Sequence, residues 1–393
     1  MKILLVNNQL NVLGGSETYM FSVGDELINK GHHVEYFGKK DPDGIHGNSF
    51  DIYATDSSNP FRMIVNKNNC KRFGELLDLF KPDIIHLNLI YFTLTPAIIY
   101  EASKRNIPIV QTIHDSKIVC PCHRFYIEHK GTPCLECAKK HSFAYCIKNR
   151  CIKGSFLKSL LAFIEAKHYR NRKTYHLIDR FIFPSKFMMD LHIGEDVSFE
   201  KAVVLNNFSR ISKRSFVKKQ KDKYVLYFGR IEKAKGIGTM LEACRALPNV
   251  HFVFVGIGDM VKEFQDLQNC DMVGFKSGKE LEELISQASF TIVPSMSYEN
   301  CPMTILESIA LGTPVIGADI GGIPELVNEG KTGMTFQSGN TKELISLIEQ
   351  LYYDDKKLAE MSGFCILDKS LKTSKEYVDE LESIYKIEME KKR

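Results

Sequence analysis

The 393-residue sequence predicts an α/β protein built from two successive doubly wound, parallel-sheet halves. Short apolar runs rich in β-branched residues alternate with stretches of helical periodicity, a pattern typical of βαβ units. The alternation restarts near Tyr224, after a polar and strongly basic segment over 209–223 that is poor in core residues. We therefore predict an N-terminal domain over 1–208, a linker over 209–223 and a C-terminal domain over 224–369.

The predicted strands form two series of short buried runs. The first series consists of Lys2–Asn7, Val34–Gly38, Asp83–Leu87, Ile107–Ile113 and Phe181–Pro184. The second series consists of Tyr224–Gly229, His251–Val255, Met272–Val273, Phe290–Pro294 and Pro314–Gly317. Helical spacing is clearest at Glu17–Lys30, Ile237–Ala246 and Ser374–Lys391. Because open sheets of this kind bind ligands at the carboxyl ends of their strands, we expect a ligand in a cleft between the halves.

Composition excludes several classes of protein. Hydrophobic residues make up 44% and charged residues 25%, which is ordinary globular usage and excludes extensive disorder. A net charge of +4 is too small to indicate nucleic-acid binding. Met1 leads directly into a strand-like run without a signal peptide, and no run reaches about 18 apolar residues. We expect a cytoplasmic protein with no nucleic-acid partner.

The segment that follows the strand at Tyr224–Phe228 suits a phosphate group. It combines a glycine turn, the cations Arg230 and Lys235, and the start of a helix near Ile237. Backbone amides and the helix dipole attract an anion at such a turn, and an arginine can bind two phosphate oxygens at once. The pattern indicates a diphosphate site. The alternative is a solvated basic loop.

Two glutamates accompany the strand at Phe290–Pro294. Glu299 lies in the loop after this strand, and Glu307 lies inside the helix for which Pro302 is well placed as the first residue. A carboxylate in the helix can accept both hydroxyls of a ribose, and a carboxylate in the loop can orient a sugar ring. The alternative is that one acid caps the helix and the other faces solvent.

The N-terminal domain carries two candidates of its own. Gly14 and Gly15 follow the first strand and open a helix, but they do not form the GxGxxG fingerprint of a dinucleotide site. His114 follows the strand at Ile107–Ile113, where a histidine can donate a hydrogen bond or act as an acid or base. The alternatives are an ordinary glycine turn and a structural histidine.

Taken together, these segments resemble the retaining GT-B glycosyltransferases of family 4. The resemblance rests on five segments in the family's order, including an E-x7-E motif: Gly14–Glu17, Thr112–Asp115, Gly229–Gly236, Glu299–Glu307 and Gly312–Val315. It spans the chain from Met1 to the final helix. It implies the GT-B fold, in which two Rossmann-like domains face a cleft and a C-terminal helix, here 370–393, crosses back to the N-terminal domain.

The resemblance implies a role for each candidate. Arg230 and Lys235 would neutralise the departing diphosphate, so no metal cofactor is needed for that task. Glu307 would bind the donor ribose, Glu299 the transferred sugar, and His114 the primary-hydroxyl end of that sugar. Further donor contacts are implied for Gly14, Gly15, Gly274, Phe275, Cys301, Met303 and Thr304. No protein base is assigned, because the diphosphate oxygen itself would take the acceptor proton.

The resemblance also implies a substrate class. The donor would be a nucleoside diphosphate sugar, a UDP-sugar in preference to GDP-mannose, and the acceptor a glycan or lipid-linked saccharide in bacterial surface-polysaccharide assembly, such as capsule or exopolysaccharide. A sugar-nucleotide epimerase and an inactive nucleotide-sugar-binding scaffold are the alternatives. Asn300-Cys301 stands where many family members have Gly-Phe, which bears on the choice of sugar.

A cysteine-rich insertion over 116–152 follows His114. Six of the eleven cysteines of the chain lie in it: Cys120, Cys122, Cys134, Cys137, Cys146 and Cys151. The Cys134-x2-Cys137 spacing suits Zn²⁺, and clustering in a reducing compartment favours metal or redox chemistry over disulfides. A structural zinc, an iron–sulfur or redox centre, and reduced thiols without metal all remain open.

A basic amphipathic stretch over 153–180 follows the insertion. Large apolar residues recur on one helical face, with lysines and arginines around them: Phe156, Leu157, Leu160, Leu161 and Ile164. Such a helix can lie on an anionic membrane surface, here the inner face of the cell membrane, near a lipid-linked acceptor. The alternative is a core-facing helix with a solvated basic face.

Overall fold

The computed structural model describes residues 1–12, 14–40, 46–56, 63–211 and 223–392, so most of the predicted linker lies outside the described residues. The strands are β1 Lys2–Gln9, β2 His33–Lys39, β3 Ile84–Leu87, β4 Ile109–Thr112, β5 Tyr126–Ile127, β6 Thr132–Pro133, β7 Arg180–Phe183, β8 Ala202–Val204, β9 Val225–Phe228, β10 Phe252–Val255, β11 Cys270–Met272, β12 Phe290–Val293, β13 Val315–Asp319 and β14 Gly333–Gln337.

The helices alternate with these strands. They are α1 Gly15–Asn29, α2 Lys67–Phe80, α3 Ile98–Lys104, α4 Glu136–Lys139, α5 Ala144–Lys148, α6 Phe156–Asn171, α7 Lys186–His192, α8 Ile237–Ala246, α9 Gly278–Gln287, α10 Met303–Ala310, α11 Ile323–Leu326, α12 Thr341–Tyr352, α13 Asp355–Leu367 and α14 Ser374–Lys391. Within the described ranges, no helix has the length and apolarity that crossing a membrane requires.

The first of two units comprises Met1–Phe125, Leu135–Asn206 and Ser374–Arg393. Its sheet has the strand order β2-β1-β3-β4-β7-β8, and every neighbouring pair is parallel. Residues Ile3–Val6 of β1 are all fully buried, as expected for a strand that helices cover on both faces. β2 lies on one side of β1, and β3 lies on the other side. The direction in which strands are added to the sheet therefore reverses after β2, and the switch point lies between β1 and β3.

The final helix α14 completes this first unit, as predicted. Its Tyr377 hydroxyl lies 2.7 Å from the hydroxyl of Tyr19 on α1. Its Tyr385 hydroxyl lies 2.5 Å from Nδ1 of His86 on β3. Tyr19 and His86 are joined in turn through the hydroxyl of Thr112, at the end of β4. A buried chain of polar side chains therefore ties the end of the chain to the middle of the first sheet.

The second unit comprises Tyr126–Cys134 and Asn207–Thr373. Its main sheet has the order β11-β10-β9-β12-β13-β14 and is again entirely parallel. The chain enters at β9 in the middle, runs outward to β11 and returns to the other side of β9 at β12. Open α/β sheets bind ligands at such a switch point. The two parallel sheets confirm the predicted α/β class.

The structure divides the cysteine-rich insertion between the units. The sequence predicts the whole of 116–152 in the N-terminal domain, whereas the antiparallel hairpin β5–β6 groups with the second unit. The part that contains α4 and α5 stays with the first unit. Strands of two residues carry too little periodicity to show where they pack, so the sequence pattern does not reveal this division.

Two strands at the sheet edges, β8 and β14, are absent from the sequence prediction. The three residues of β8 are only half-buried, and β14 begins at Gly333 and mixes buried with exposed positions. An edge strand is covered less completely than a central strand, so its apolar run is shorter and its pattern weaker.

The turn between β9 and α8 requires glycine at position 236. Gly236 has a φ of +77°, and a Cβ at this position would overlap the carbonyl oxygen of Pro294, which follows β12. The turn after β9 therefore lies directly against the segment after β12. Gly238, in the first turn of α8, differs in both respects, because its backbone is helical and no atom lies within 4 Å of its Cβ position.

We predict that alanine changes the free energy of unfolding differently at these two glycines. Gly236→Ala should lower the free energy of unfolding by more than about 2 kcal/mol, because the left-handed backbone alone costs roughly 1–2 kcal/mol and the overlap with Pro294 adds to it. Gly238→Ala should be neutral or raise that free energy by up to about 1 kcal/mol, because alanine favours the helix. Urea unfolding of both variants checks this, and equal effects would contradict it.

Candidate functional site

The strongest candidate site lies at the switch point of the second sheet. The loop after β9 carries Arg230 and Lys235, and the loop after β12 carries Ser295 and Glu299. Because β9 and β12 are adjacent and parallel, both loops leave the same edge of the sheet. A small cavity between the loops is lined by these four residues and by Thr304 at the start of α10.

A charged pair joins the two loops. Lys235 Nζ lies 2.6 Å from Oε1 of Glu299, and Ser295 Oγ donates a hydrogen bond of 2.5 Å to the same oxygen. The Glu299 side chain is only 15% exposed. The sequence predicts Lys235 and Glu299 as separate contributors, and the structure brings them into direct contact. Ser295, which orients the carboxylate, is a site residue that the sequence analysis misses.

Glu299 carries a negative charge at neutral pH. Burial alone would raise its pKa, but the charge of Lys235, hydrogen bonds from Lys235 and Ser295, and the charge of Arg230 outweigh burial. The net pKa of Glu299 therefore lies below its ordinary value. An ionised carboxylate accepts hydrogen bonds and cannot act as a general acid, so Glu299 is suited to receive hydroxyl groups from a ligand.

The backbone of the Glu299 loop is fixed on two sides. The amide of Met296 donates to the carbonyl of Ala234, in the loop after β9, at 3.0 Å. The amide of Gly322 donates to the carbonyl of Glu299 at 2.8 Å. Gly321 has a φ of +66°, and a Cβ there would overlap the Glu299 backbone. The loop therefore holds its conformation before any ligand binds.

Arg230 is the exposed cation of the site. Its side chain is 62% exposed, and its Nη2 lies 3.1 Å from Oε1 of Glu232. The hydroxyl of Tyr227 donates to the carbonyl of Arg230 at 2.6 Å, which fixes the backbone and leaves the guanidinium at the surface. Arg230 can therefore turn toward an anion beside Lys235, whose ammonium is already held in place.

Glu307 lies buried on α10 and faces a second arginine. Arg210 Nη2 lies 3.4 Å from Oε1 of Glu307. Burial raises the pKa of Glu307, and the charge and hydrogen bond of Arg210 oppose this rise without cancelling it. The sequence analysis misses Arg210 because this residue lies in the polar run over 209–223 that predicts a linker. The sequence feature that could have indicated a packed segment here is the apolar residue Phe208, two positions earlier. Phe208 is fully buried in the structure.

The start of α10 presents free backbone amides to the same region. Pro302 is the N-cap of α10, so the helix begins at Met303, one residue later than predicted, and Met303 and Thr304 lie in the first turn. Amides of a first turn have no partner within their helix and are available to a ligand. Cys301 turns its thiol into the hydrophobic core, where burial raises the pKa of this thiol to about 12. Only the backbone of Cys301 is thus left for the predicted donor contact.

Gly274 and Phe275, predicted to seat the base, follow β11. The carbonyl of Gly274 accepts from the amide of Gly256 at 2.8 Å, which links the ends of β10 and β11. Gly274 has a φ of +72° with no atom within 4 Å of its Cβ position, and Phe275 is 71% exposed. β11 lies two strands from β9, roughly 10 Å away at the usual strand spacing. A nucleoside diphosphate that extends along this sheet edge spans a comparable distance.

In the first unit, Gly14 and Gly15 mark the start of α1. A Cβ at Gly15 would meet no atom within 4 Å, so packing within the unit does not require glycine there and leaves open space beside the backbone. Glu17, in the first turn, accepts hydrogen bonds of 3.0 Å from the side chains of Asn7 and Ser16. Both bonds reach Oε1 of Glu17, so this carboxylate links β1 to the first turn of α1.

His114 directly follows β4 and is neutral at physiological pH. Its Nε2–H donates to Oδ1 of Asn88, after β3, at 2.9 Å, and its ring packs edge-on against Tyr19 with 4.8 Å between centroids. Burial lowers the pKa of His114 to about 3. With Nε2–H bonded to Asn88, Nδ1 is the acceptor of the ring. His114 is therefore suited to a hydrogen-bonding contact and not to proton donation as an imidazolium.

The cysteines of the insertion approach one another as a chain of pairs. Cys120 Sγ and Cys122 Sγ are 3.4 Å apart, Cys122 contacts Cys151, and Cys151 contacts Cys146. These contacts bring together four of the six predicted ligands.

Of the predicted chelating pair, Cys134 groups with the second unit and Cys137 with the first. Among the described residues, no group of three or more His, Cys, Asp or Glu side chains is arranged to hold a metal ion. A structural zinc stays a prediction, as do the redox and metal-free alternatives, and elemental analysis of the purified chain distinguishes them.

A larger cavity, of about 840 Å³, lies between α2 and α3 of the first unit. Some of its charged residues are already paired, since Arg105 lies 2.7 Å from Asp78 and 3.1 Å from Glu101. None of the predicted site residues lines it. Its size therefore does not make it the stronger candidate.

The fold and the site together define a class of enzyme. Two Rossmann-like parallel-sheet units and a closing helix that completes the first unit are the architecture of a GT-B glycosyltransferase. A family model described as Glycosyltransferase Family 4 matches residues 13–209, just over half of the chain. A second, described as Glycosyl transferases group 1, matches residues 208–363. The chain belongs to glycosyltransferase family 4.

Curated relatives are similar over different lengths. The amylovoran biosynthesis glycosyltransferase AmsK of Erwinia amylovora is 28% identical over 143 residues, which cover 32% of this chain and 35% of AmsK. The colanic acid biosynthesis glycosyltransferase WcaL of Salmonella typhimurium, a relative named provisionally, is 28% identical over 31% of this chain and 34% of its own. An uncharacterised glycosyltransferase of Methanocaldococcus jannaschii is 23% identical over 90% of both chains. The chain thus spans about a third of the two polysaccharide enzymes.

Solved structures share the fold over nearly the full length. Anabaena HepE in complex with UDP and glucose has a TM-score of 0.69 at 15% identity, over 98% of this chain and 99% of HepE. Sucrose-phosphate synthase from Thermosynechococcus elongatus has a TM-score of 0.73 at 17% identity, over 98% of both chains. At this level of identity the likeness shows the GT-B fold.

The Lys235–Glu299 pair yields a prediction about titration. In Lys235→Met the pKa of Glu299 should rise, because burial is then opposed only by weaker contacts. In the matched variant Arg210→Met the pKa of Glu307 should rise and that of Glu299 should stay unchanged. Carboxyl-detected NMR titration measures both. A Glu299 pKa that is the same in Lys235→Met as in the wild type would contradict the ion pair.

Proposed function

We propose that the chain is a retaining glycosyltransferase that moves a sugar from a nucleoside diphosphate sugar to a glycan or lipid-linked saccharide. The observation that carries this proposal is the Lys235–Glu299 pair at the switch point of the second sheet, with Arg230 beside it. A UDP-sugar is favoured over GDP-mannose, since HepE, which shares the fold, is described with UDP and glucose.

The cations act on the leaving group. When the bond between the anomeric carbon and the diphosphate oxygen breaks, negative charge develops on the diphosphate. Lys235 is already fixed beside the cavity, and Arg230 reaches the diphosphate from the rim and can bind two oxygens at once. Fixed cations stabilise such charge without reorganisation at the moment of reaction. We propose that they fill the role a metal has in other transferases.

The carboxylates hold the donor on either side of the reacting bond. Glu299, ionised at neutral pH, accepts hydroxyl groups of the transferred sugar. Glu307 accepts the ribose hydroxyls, with Arg210 favouring its ionised form. The acceptor oxygen attacks the anomeric carbon from the face that the diphosphate leaves, so the configuration is retained. The acceptor proton passes to the departing diphosphate oxygen, and no protein base is needed.

The proposed setting is bacterial surface-polysaccharide assembly, such as capsule or exopolysaccharide. AmsK and WcaL are named for amylovoran and colanic acid biosynthesis, which supports this setting. A lipid-linked acceptor would place the enzyme at the inner face of the cell membrane.

Calorimetric binding of UDP, GDP, ADP and NAD in the presence of EDTA tests the donor site. UDP should bind the wild type. Arg230→Ala should weaken this affinity roughly ten- to hundredfold, because hydrogen bonds to charged groups contribute about 1.5–3 kcal/mol. Arg245→Ala, at the exposed end of α8, is the matched control and should leave the affinity unchanged. Equal UDP affinity in both variants, or no UDP binding, would contradict the proposed site.

Incubation with a UDP-sugar and saccharide acceptors tests the activity itself. A new glycoside whose anomeric configuration matches that of the donor supports a retaining transferase. A product of inverted configuration would overturn the stereochemical proposal. Conversion of the donor to its epimer without an acceptor would point to an epimerase, and nucleotide binding without turnover to an inactive scaffold.

A further inference from the structure

Helix α6 of the first unit packs with its large apolar side chains facing outward. Phe156, Leu157 and Ile164 are 50%, 74% and 45% exposed, and Leu160 and Leu161 between them are half-buried. At 100° per residue these five side chains fall within an arc of roughly 140° on one face. An ordinary surface helix buries such a stripe and exposes its polar face.

The buried face of α6 is made of small and polar residues. Its buried members are Ser159, Ala162, Glu165, Ala166 and Tyr169. This is the reverse of the core-facing helix that the sequence pattern offers as an alternative. The apolar stripe of α6 is therefore left without a protein partner inside the unit.

Specific polar contacts fix this orientation. Glu165 Oε2 forms a buried ion pair of 2.8 Å with Nζ of Lys117. Ser159 Oγ accepts from the amide of Ile152 at 3.1 Å, and the hydroxyl of Tyr169 donates to the carbonyl of Ile64. Rolling the helix to bury its leucines would break an ion pair in which both side chains are less than 10% exposed. Such a change is strongly unfavourable, because it leaves buried charges unpaired.

Basic residues surround the exposed stripe. The segment 150–173 contains seven lysines and arginines and a single acid, Glu165, which is already paired with Lys117. The exposed cations next to the stripe are Lys153, Lys158, Lys167, Arg172 and Lys173. In the described part of the chain none of these five forms an ion pair. An apolar stripe rimmed by uncompensated positive charge complements a bilayer that contains anionic lipid.

We propose that α6 and its basic flanks are the surface through which this chain binds an anionic lipid bilayer. Phe156, Leu157 and Ile164 enter the headgroup region, and the flanking cations contact lipid phosphates. The inference rests on the proposed function in one respect, since a lipid-linked saccharide acceptor is presented at such a surface. It deepens that function by naming the face that approaches the acceptor's membrane.

Vesicle co-sedimentation of the full chain tests the proposal. The wild type should bind vesicles of phosphatidylcholine with 40% phosphatidylglycerol and bind phosphatidylcholine alone at least tenfold less. Leu157→Glu/Ile164→Glu should lose at least tenfold in partition coefficient. Leu367→Glu is the matched control, because Leu367 is 73% exposed, against 74% for Leu157, and lies on α13, outside the proposed surface. It should bind vesicles as the wild type does.

A charge variant tests whether the flanking cations contact lipid phosphates. Lys153→Gln/Lys158→Gln/Lys167→Gln should lower the partition coefficient roughly fivefold for each charge removed, and added salt should weaken wild-type binding. Binding that is unaffected by all three glutamines would overturn the electrostatic part.

Two results would overturn the proposal as a whole. One is a wild type that does not bind anionic vesicles. The other is a wild-type dimer that Leu157→Glu dissociates, because a second copy of the chain would then cover the stripe. UDP binding by each variant separates this inference from the proposed function. Loss of vesicle binding with UDP affinity intact in Leu157→Glu/Ile164→Glu supports the membrane surface, whereas a chain that binds vesicles and no nucleotide refutes the donor site alone.

Discussion

The ion pair between Lys235 and Glu299 is the interaction on which the candidate site depends. It joins the loops that follow β9 and β12, two strands that are neighbours in space although more than sixty residues separate them in sequence. It also sets the chemistry, because a carboxylate that is 15% exposed stays ionised only beside a compensating charge. The site therefore holds its negative charge and its shape through the same contact.

The rest of the site follows from how closely these loops approach. Gly236 and Gly321 have left-handed backbones at points where a side chain would overlap a neighbouring backbone, so each allows a contact that no other residue permits. Arg210 plays a comparable part for Glu307, whose burial would otherwise favour the neutral acid. The two glutamates thus differ in environment, because the pKa of Glu299 lies below its ordinary value and that of Glu307 lies above it.

Much of this arrangement can be predicted from the sequence, and the limits have physical causes. Central strands and the helix at Ile237–Ala246 are found because complete burial gives clear apolar runs. The edge strands β8 and β14 and the hairpin β5–β6 are missed, because partial burial or short length weakens the pattern. Arg210 is missed because its role depends on a contact with Glu307, 97 residues away. Ser295 is missed because its hydrogen bond to Glu299, four residues later, depends on a loop conformation that the sequence pattern does not show. For α6, the sequence predicts an apolar face and leaves open which side packs on the protein. Buried contacts such as Lys117–Glu165 decide that question.

A crystal structure of the full chain with bound UDP tests the central claim most directly. The account predicts diphosphate oxygens at Arg230 and Lys235, the ribose hydroxyls at the Glu307 carboxylate, and the base beside Gly274. A diphosphate bound away from the switch point of the second sheet, with the Lys235–Glu299 pair facing only solvent, would contradict it.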